Sequence, residues 1–282
     1  MSVFTPEDLA FFEENGYVIA RNVVPVELCN AVVNAIFEFL GMDPHNPEDW
    51  YRPPLKPGGM IEMYQHQALW DTRQYPRVHQ AFSEIFGTPK LCVTIDRVGM
   101  KPPRHPNHPE YDHKGFIHWD VDTSKLPLPF GVQGVLCLTD TTEDMGGFQC
   151  IPGFHKGLEE WIATQPPDRN PRVPDLNALP PGKKVVPIPA KAGDLIIWIN
   201  TLAHGNGHNV SNRPRFSQYI SMFPAERLTE EQRQHRIHCW QHRLPPGNSV
   251  FPGDPREIEQ KYQKTAELTP LGRKLLGLDP WD

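Results

Sequence analysis

The chain has 282 residues, 38% of them apolar, with a formal net charge of −6 and a pI near 6.1. That balance argues against a nucleic-acid partner, which calls for a basic face, and no stretch approaches the roughly 18 apolar residues of a membrane span. Five cysteines (Cys29, Cys92, Cys137, Cys150, Cys239) are odd in number and lack CxxC spacing, so they read as reduced thiols, and with no basic, apolar leader the expected location is the cytoplasm.

In chain order, Thr5-Pro6-Glu7-Asp8 predicts a helix start: a Thr cap, Pro in the first turn and acids near the positive end of the dipole. Leu28, Val32, Ile36 and Leu40 repeat at four-residue spacing before Gly41, which predicts an amphipathic helix over 26–40 packed on a sheet. Val78, Phe82, Ile85 and Phe86 repeat the pattern before Gly87. Short β-rich runs follow at 91–98, 115–120, 132–138, 148–151, 184–188, 194–199 and 216–223. A capping box opens a polar helix at Thr229, a loop-rich tail begins at Pro245, and a short helix closes the chain over 270–276. Prolines number 32, about twice the average usage, and they cluster between the runs. Seven or eight short strands separated by Pro/Gly turns predict a mainly β fold. The expectation is a double-stranded β-helix, or jelly roll, over about 91–224. A helical N-terminal part (1–90) and a helical, loop-rich C-terminal extension (225–282) complete a single domain spanning 1–282.

His118-Trp119-Asp120 is the motif that carries chemistry. On a strand, residues i and i+2 point to one face, so both side chains can reach one metal ion. The apolar run after Gly193-Asp194 delivers a second His at its far end, either His204 or His208, with His204 nearer the strand. Two imidazoles and one carboxylate form the ligand set of non-haem Fe(II) oxygenases and leave three positions open. Arg215 follows His204 by eleven residues and enters the next run. A guanidinium captures a carboxylate in bidentate fashion, which suits a dicarboxylate co-substrate.

These pieces carry a resemblance. The chain resembles the phytanoyl-CoA dioxygenase (PhyH-like) family of Fe(II)/2-oxoglutarate-dependent oxygenases. The matching pieces are Phe11-Phe12-Glu13-Glu14-Asn15-Gly16-Tyr17-Val18-Ile19, His118-Trp119-Asp120, Gly146-Gly147-Phe148-Gln149-Cys150-Ile151-Pro152-Gly153-Phe154-His155, Ala192-Gly193-Asp194 leading to His204, and Arg215. The family's usual Pro-Gly-Ser-His reads Pro152-Gly153-Phe154-His155 here. The resemblance implies His118, Asp120 and His204 as iron ligands and Arg215 as the partner of the distal carboxylate of 2-oxoglutarate. Asn206 stands where the family often has a small hydroxyl residue assisting that Arg. It further implies a small-molecule substrate oxidised with O2, with release of succinate and CO2. Because Asp120 is present, oxygen insertion is favoured over halogenation.

Other residues are weaker candidates. Gln133 lies on a predicted barrel strand, where its amide would bond 2-oxoglutarate. Alternation places Arg97, Gly99 and Lys101 on one face, suited to an acidic group, with surface charge as the bland reading. Tyr64 and His66 border the predicted pocket. His105, His108 and His113 crowd a Pro-rich loop; a polar loop at the site mouth is favoured over a second metal site, because Pro-broken spacing does not fix ligand geometry. The alternatives are a cupin-like metal enzyme not using 2-oxoglutarate, or an inactive jelly-roll binding protein. A cupin has no need of a buried guanidinium at position 215.

Overall fold

The computed structural model describes residues 2–282. Helix α1 (Pro6–Asn15) opens with a reciprocal Thr5/Asp8 capping box and ends at Gly16 in the left-handed region. Strand β1 (Tyr17–Ala20), helix α2 (Val26–Leu40), strand β2 (Met60–Ile61) and helices α3 (Gln67–Arg73) and α4 (Pro76–Phe86) follow. Then come β3 (Leu91–Val93), β4 (Val98–Lys101), β5 (Val132–Cys137), β6 (Phe148–Cys150), α5 (Leu158–Ala163), β7 (Val186–Pro187), β8 (Leu195–Ile199), β9 (His204–Asn206), β10 (Arg215–Tyr219) and β11 (Met222–Pro224). Helices α6 (Glu230–His242), α7 (Ile258–Tyr262) and α8 (Pro270–Leu276) close the chain. Among the described residues no helix is long and apolar enough to cross a membrane.

Six strands form one antiparallel sheet in the order β1-β8-β5-β10-β4-β2, and three form a second in the order β7-β6-β9. The two sheets face each other across an apolar layer in which Val135, Cys137, Ile196 and Trp198 meet Phe148, Cys150, Ile188 and Leu202. This is the predicted double-stranded β-helix. The large sheet's other face is covered by helices: Cys29, Val32 and Ile36 of α2 join Val98, Met100, Leu136, Leu195, Ile197 and Phe216 in one core. Phe37 packs on Phe216 at 5.4 Å between ring centroids. Truncating Phe216 to Ala would cost about 3–5 kcal/mol, because so dense a layer does not close the void.

Three sequence expectations change. The runs 91–98 and 216–223 each break into two strands, because the chain leaves the six-stranded sheet and enters the β11-β3 pair; an unbroken apolar run does not reveal a change of sheet. The predicted strand over 115–120 is only a single bridge, His118 to His204. The six-stranded sheet also takes both edge strands, β1 and β2, from the segment expected to be helical (1–90). Edge strands of four and two residues are too short to show alternation against the strong helical repeat beside them.

Candidate active site

Close backbone approach builds the site. His118 N donates to His204 O at 2.8 Å, and His204 N returns a bond to His118 O at 3.0 Å. Two glycines permit this. A Cβ on Gly205 would lie 1.8 Å from Phe116 O, and one on Gly115, whose φ is +76°, would lie 1.7 Å from Asn206 O. The bridge adds His118 to the edge of the small sheet, so both imidazoles turn toward the space between the sheets.

His118 Nε2 lies 3.4 Å from Asp120 Oδ1, and His204 Nε2 lies 3.4 Å from Asp120 Oδ2. The three donor atoms fall within 4.8 Å of one another. His204 is buried beside Trp198 and Phe148, and its Nδ1 lies 2.9 Å from Leu202 O. Donation there fixes the tautomer and leaves the Nε2 lone pair for a metal. Loss of solvation pushes the Asp120 carboxyl up, but the His118 and His204 rings beside it and the Gln133 amide outweigh this and hold the group far below the usual carboxylate range. Trp119 points away from this cluster and packs with Phe154 and Trp161. His208 does not join it; its Nε2 pairs with Asp112.

The inner face of the large sheet supplies the second half. Arg215 of β10 stands directly opposite Lys101 of β4, so both project between the sheets. Both are buried. Arg215 Nη1 donates to Ser217 Oγ at 2.8 Å, while its Nε has no partner. Burial, then the Arg215 charge, pushes the Lys101 ammonium down to about 7. Lys101 Nζ donates to Gly207 O. Two basic side chains held side by side, neither in a salt bridge among the described residues, suit a carboxylate from outside.

Several candidates take other places. Gln133 Nε2 donates to Asp120 Oδ2 at 2.6 Å, so it orients the carboxylate. Asn206 Nδ2 donates to the Tyr219 hydroxyl at 3.3 Å and does not assist Arg215. Arg97 is paired with Glu62 at 3.1 Å and lies over the Phe251 ring. Tyr64 is buried and its hydroxyl donates to Glu62. His66 caps α3, its Nδ1 accepting from Ala68 N at 3.2 Å. The sequence reading missed Ser217 and Tyr219, which share the Arg215 face; counting by two from Arg215 would have found both.

A resident group fits this space. Three buried polar atoms on the inner face of the large sheet lack a partner among the described residues: Gln133 Oε1, Trp198 Nε1 and Arg215 Nε. Buried polar groups are rarely left so. The donor set suits Fe(II), and the paired basic side chains suit a dicarboxylate.

The sequence profile of the phytanoyl-CoA dioxygenase (PhyH) family matches residues 12–217. The chain belongs to this family. It is an iron- and 2-oxoglutarate-dependent oxygenase. A putative phytanoyl-CoA dioxygenase of Dictyostelium discoideum is 26% identical over 277 residues, which covers 80% of this chain and 77% of the relative. Two solved structures share the fold. GlcNAc Inducible Gene 2 of Candida albicans superposes with a TM-score of 0.75 at 13% identity, covering all of this chain and 78% of that one. The epimerase SnoN, solved with Fe3+, alpha ketoglutarate and nogalamycin RO, gives 0.55 at 16% identity, covering 93% and 94%.

Proposed function

We propose that this PhyH-family oxygenase hydroxylates an unactivated carbon of a small molecule, with His118, Asp120 and His204 as the iron ligands and Arg215, with Lys101 beside it, as the seat of the distal carboxylate of 2-oxoglutarate. The observation that carries the reading is the convergence of three donor atoms within 4.8 Å in the same inter-sheet space as an unpartnered, buried guanidinium nitrogen. Bound there, iron and 2-oxoglutarate supply the oxidative chemistry, in which the keto acid is split to succinate and CO2 while one oxygen atom of O2 goes to the substrate. The chain's own residues do the rest. His204, fixed by Leu202 O, and Asp120, fixed by Gln133, hold the open metal face at one orientation. Ser217 keeps the Arg215 fork aimed inward. Trp198, Phe148 and Val135 exclude water from the inner side. The test is anaerobic addition of Fe(II) and 2-oxoglutarate, followed by O2. A weak visible charge-transfer band should appear and then decay with release of succinate; His204→Ala should show neither, and His208→Ala should show both. A protein that releases no succinate with any candidate substrate and shows no band contradicts the reading.

A further inference from the structure

The loop joining β4 to His118 carries a second set of metal-type donors. His105-Pro106-Asn107-His108 is a turn: His108 N donates to His105 O at 3.1 Å, with Pro at its second position. The proline that seemed to break the spacing therefore fixes it, setting the two rings 5.2 Å apart. Both rings lie 4.9 Å from Tyr51, whose hydroxyl donates to Pro103 O at 3.0 Å. Glu48, on the 3-10 turn Pro47–Trp50, meets them from the other side. Its Oε1 lies 3.3 Å from His105 Nε2 and its Oε2 lies 3.9 Å from His108 Nε2. The three donor atoms lie within 4.8 Å of one another. His113 is apart from them, its Nδ1 accepting from Gly115 N at 3.1 Å.

We propose that Glu48, His105 and His108 form a second divalent-metal site that takes Zn2+. Two imidazoles and a carboxylate are a borderline donor set that Zn2+ favours over Mg2+ or Ca2+, which prefer oxygen alone. His108 is already oriented for ligation: its Nδ1 faces Glu110 Oε1 at 3.4 Å, the outer carboxylate that leaves Nε2 free for a metal. His105 Nδ1 lies 3.3 Å from Asn107 N, a long contact that gives way when Nε2 ligates. The Glu48 side chain is 66% exposed, so the remaining positions open to water. The ion would clamp the loop 102–117 onto the segment 47–55, adding to the bonds from Tyr51 to Pro103 O and from Tyr111 to Leu55 O. The same loop leads into His118 and carries Asp112, the partner of His208, so the clamp fixes the path into the iron site.

Zn2+ equilibrium dialysis on the full chain without an affinity tag tests this. The wild type should hold two equivalents, and both His105→Ala/His108→Ala and His118→Ala should hold one. Glu48→Gln, a milder change on an exposed turn, should lower affinity at the loop site by at least roughly tenfold. Zn2+ should also slow tryptic cleavage after Arg104 and Lys114 in the wild type and in His118→Ala, but not in the double variant. Equal zinc loading of wild type and double variant, or cleavage indifferent to Zn2+, overturns the proposal. Equal loading of wild type and His118→Ala would instead count against the iron-site assignment, so the two failures are distinguishable.

Discussion

Two clusters in this molecule present the same donors, two imidazoles and one carboxylate, in different settings. At the iron site, His204 sits on a strand, buried, with its tautomer fixed by a backbone carbonyl, while His118 and the half-exposed Asp120 come from an irregular segment and Asp120 is held by Gln133. At the loop site, His105 and His108 sit on a turn, about a quarter exposed, and stack on one tyrosine. Donor identity sets which metals bind. The surroundings decide what the metal does: the first cluster lies between the sheets with two buried basic side chains, Arg215 and Lys101, and several unpartnered polar atoms.

The largest effects should come from removing first-cluster ligands. His118→Ala, Asp120→Ala and His204→Ala should each abolish iron retention and succinate release, while circular dichroism shows an intact fold. His105→Ala/His108→Ala should keep most turnover when Fe(II) is saturating, as should His208→Ala. Iron content and succinate yield measure both arms. Full activity in Asp120→Ala would erase the distinction between the clusters.

Arg215 comes next. Charge-assisted hydrogen bonds contribute about 1.5–3 kcal/mol, so Arg215→Ala should raise the half-saturating 2-oxoglutarate concentration by about 10- to 150-fold with iron binding near normal. Arg215→Lys should recover only part, because a point ammonium cannot reproduce the planar fork. An unchanged half-saturation in Arg215→Ala would favour a metal enzyme that does not use 2-oxoglutarate.

What was legible in the sequence follows the same division. Residues placed by strand alternation or strong helical period were readable: α2 ends at Gly41 as its pattern predicts, and Gly99 and Lys101 share a face of β4, although the Arg215–Lys101 pairing depends on a strand register that spacing does not report. Residues placed by loops or by short local bonds were not. His118 and Asp120 converge, yet through a single bridge beside two close-packed glycines and not through a regular strand. Gln133 was visible as an inward residue, but its partner Asp120 arrives from an irregular segment. His66 looked like a pocket residue because capping by an imidazole leaves no mark in spacing. The His105–His108 pairing depends on a turn type and on Glu48 from far upstream, neither of which periodicity reports.

Gln133 tests whether the support of the first cluster matters as claimed. Loss of such an outer partner typically costs about 10–100-fold in metal affinity or activity. Gln133→Met, which keeps the volume and removes the amide, should weaken Fe(II) binding within that range. Saturating iron should restore most succinate release, and zinc binding at the loop site should not change. Competition of Fe(II) against a chromophoric chelator reads the affinity. An unaltered value would mean that Asp120 needs no partner to hold its orientation.

The smallest effect is a proton. Lys101 is pushed down to about 7 by burial and by Arg215, so in the co-substrate-free protein it is largely neutral at pH 8. Its ammonium is charged in the unfolded chain up to about pH 10.4. Between those limits the unfolded state binds more protons, so stability of the co-substrate-free protein should rise as pH climbs from about 7 and level off near the unfolded value. A carboxylate arriving beside Lys101 and Arg215 favours the charged ammonium and raises its pKa. Binding of 2-oxoglutarate at pH 8 should therefore take up part of a proton, and apparent affinity should fall by a few-fold as pH rises from 7 to 9. Titration calorimetry in two buffers of different ionisation enthalpy measures the uptake directly. Lys101→Met should abolish the uptake and flatten the pH dependence while Arg215 still binds the co-substrate. Proton uptake that persists in Lys101→Met would assign it to another group, and Arg215 alone would then be the seat of the distal carboxylate.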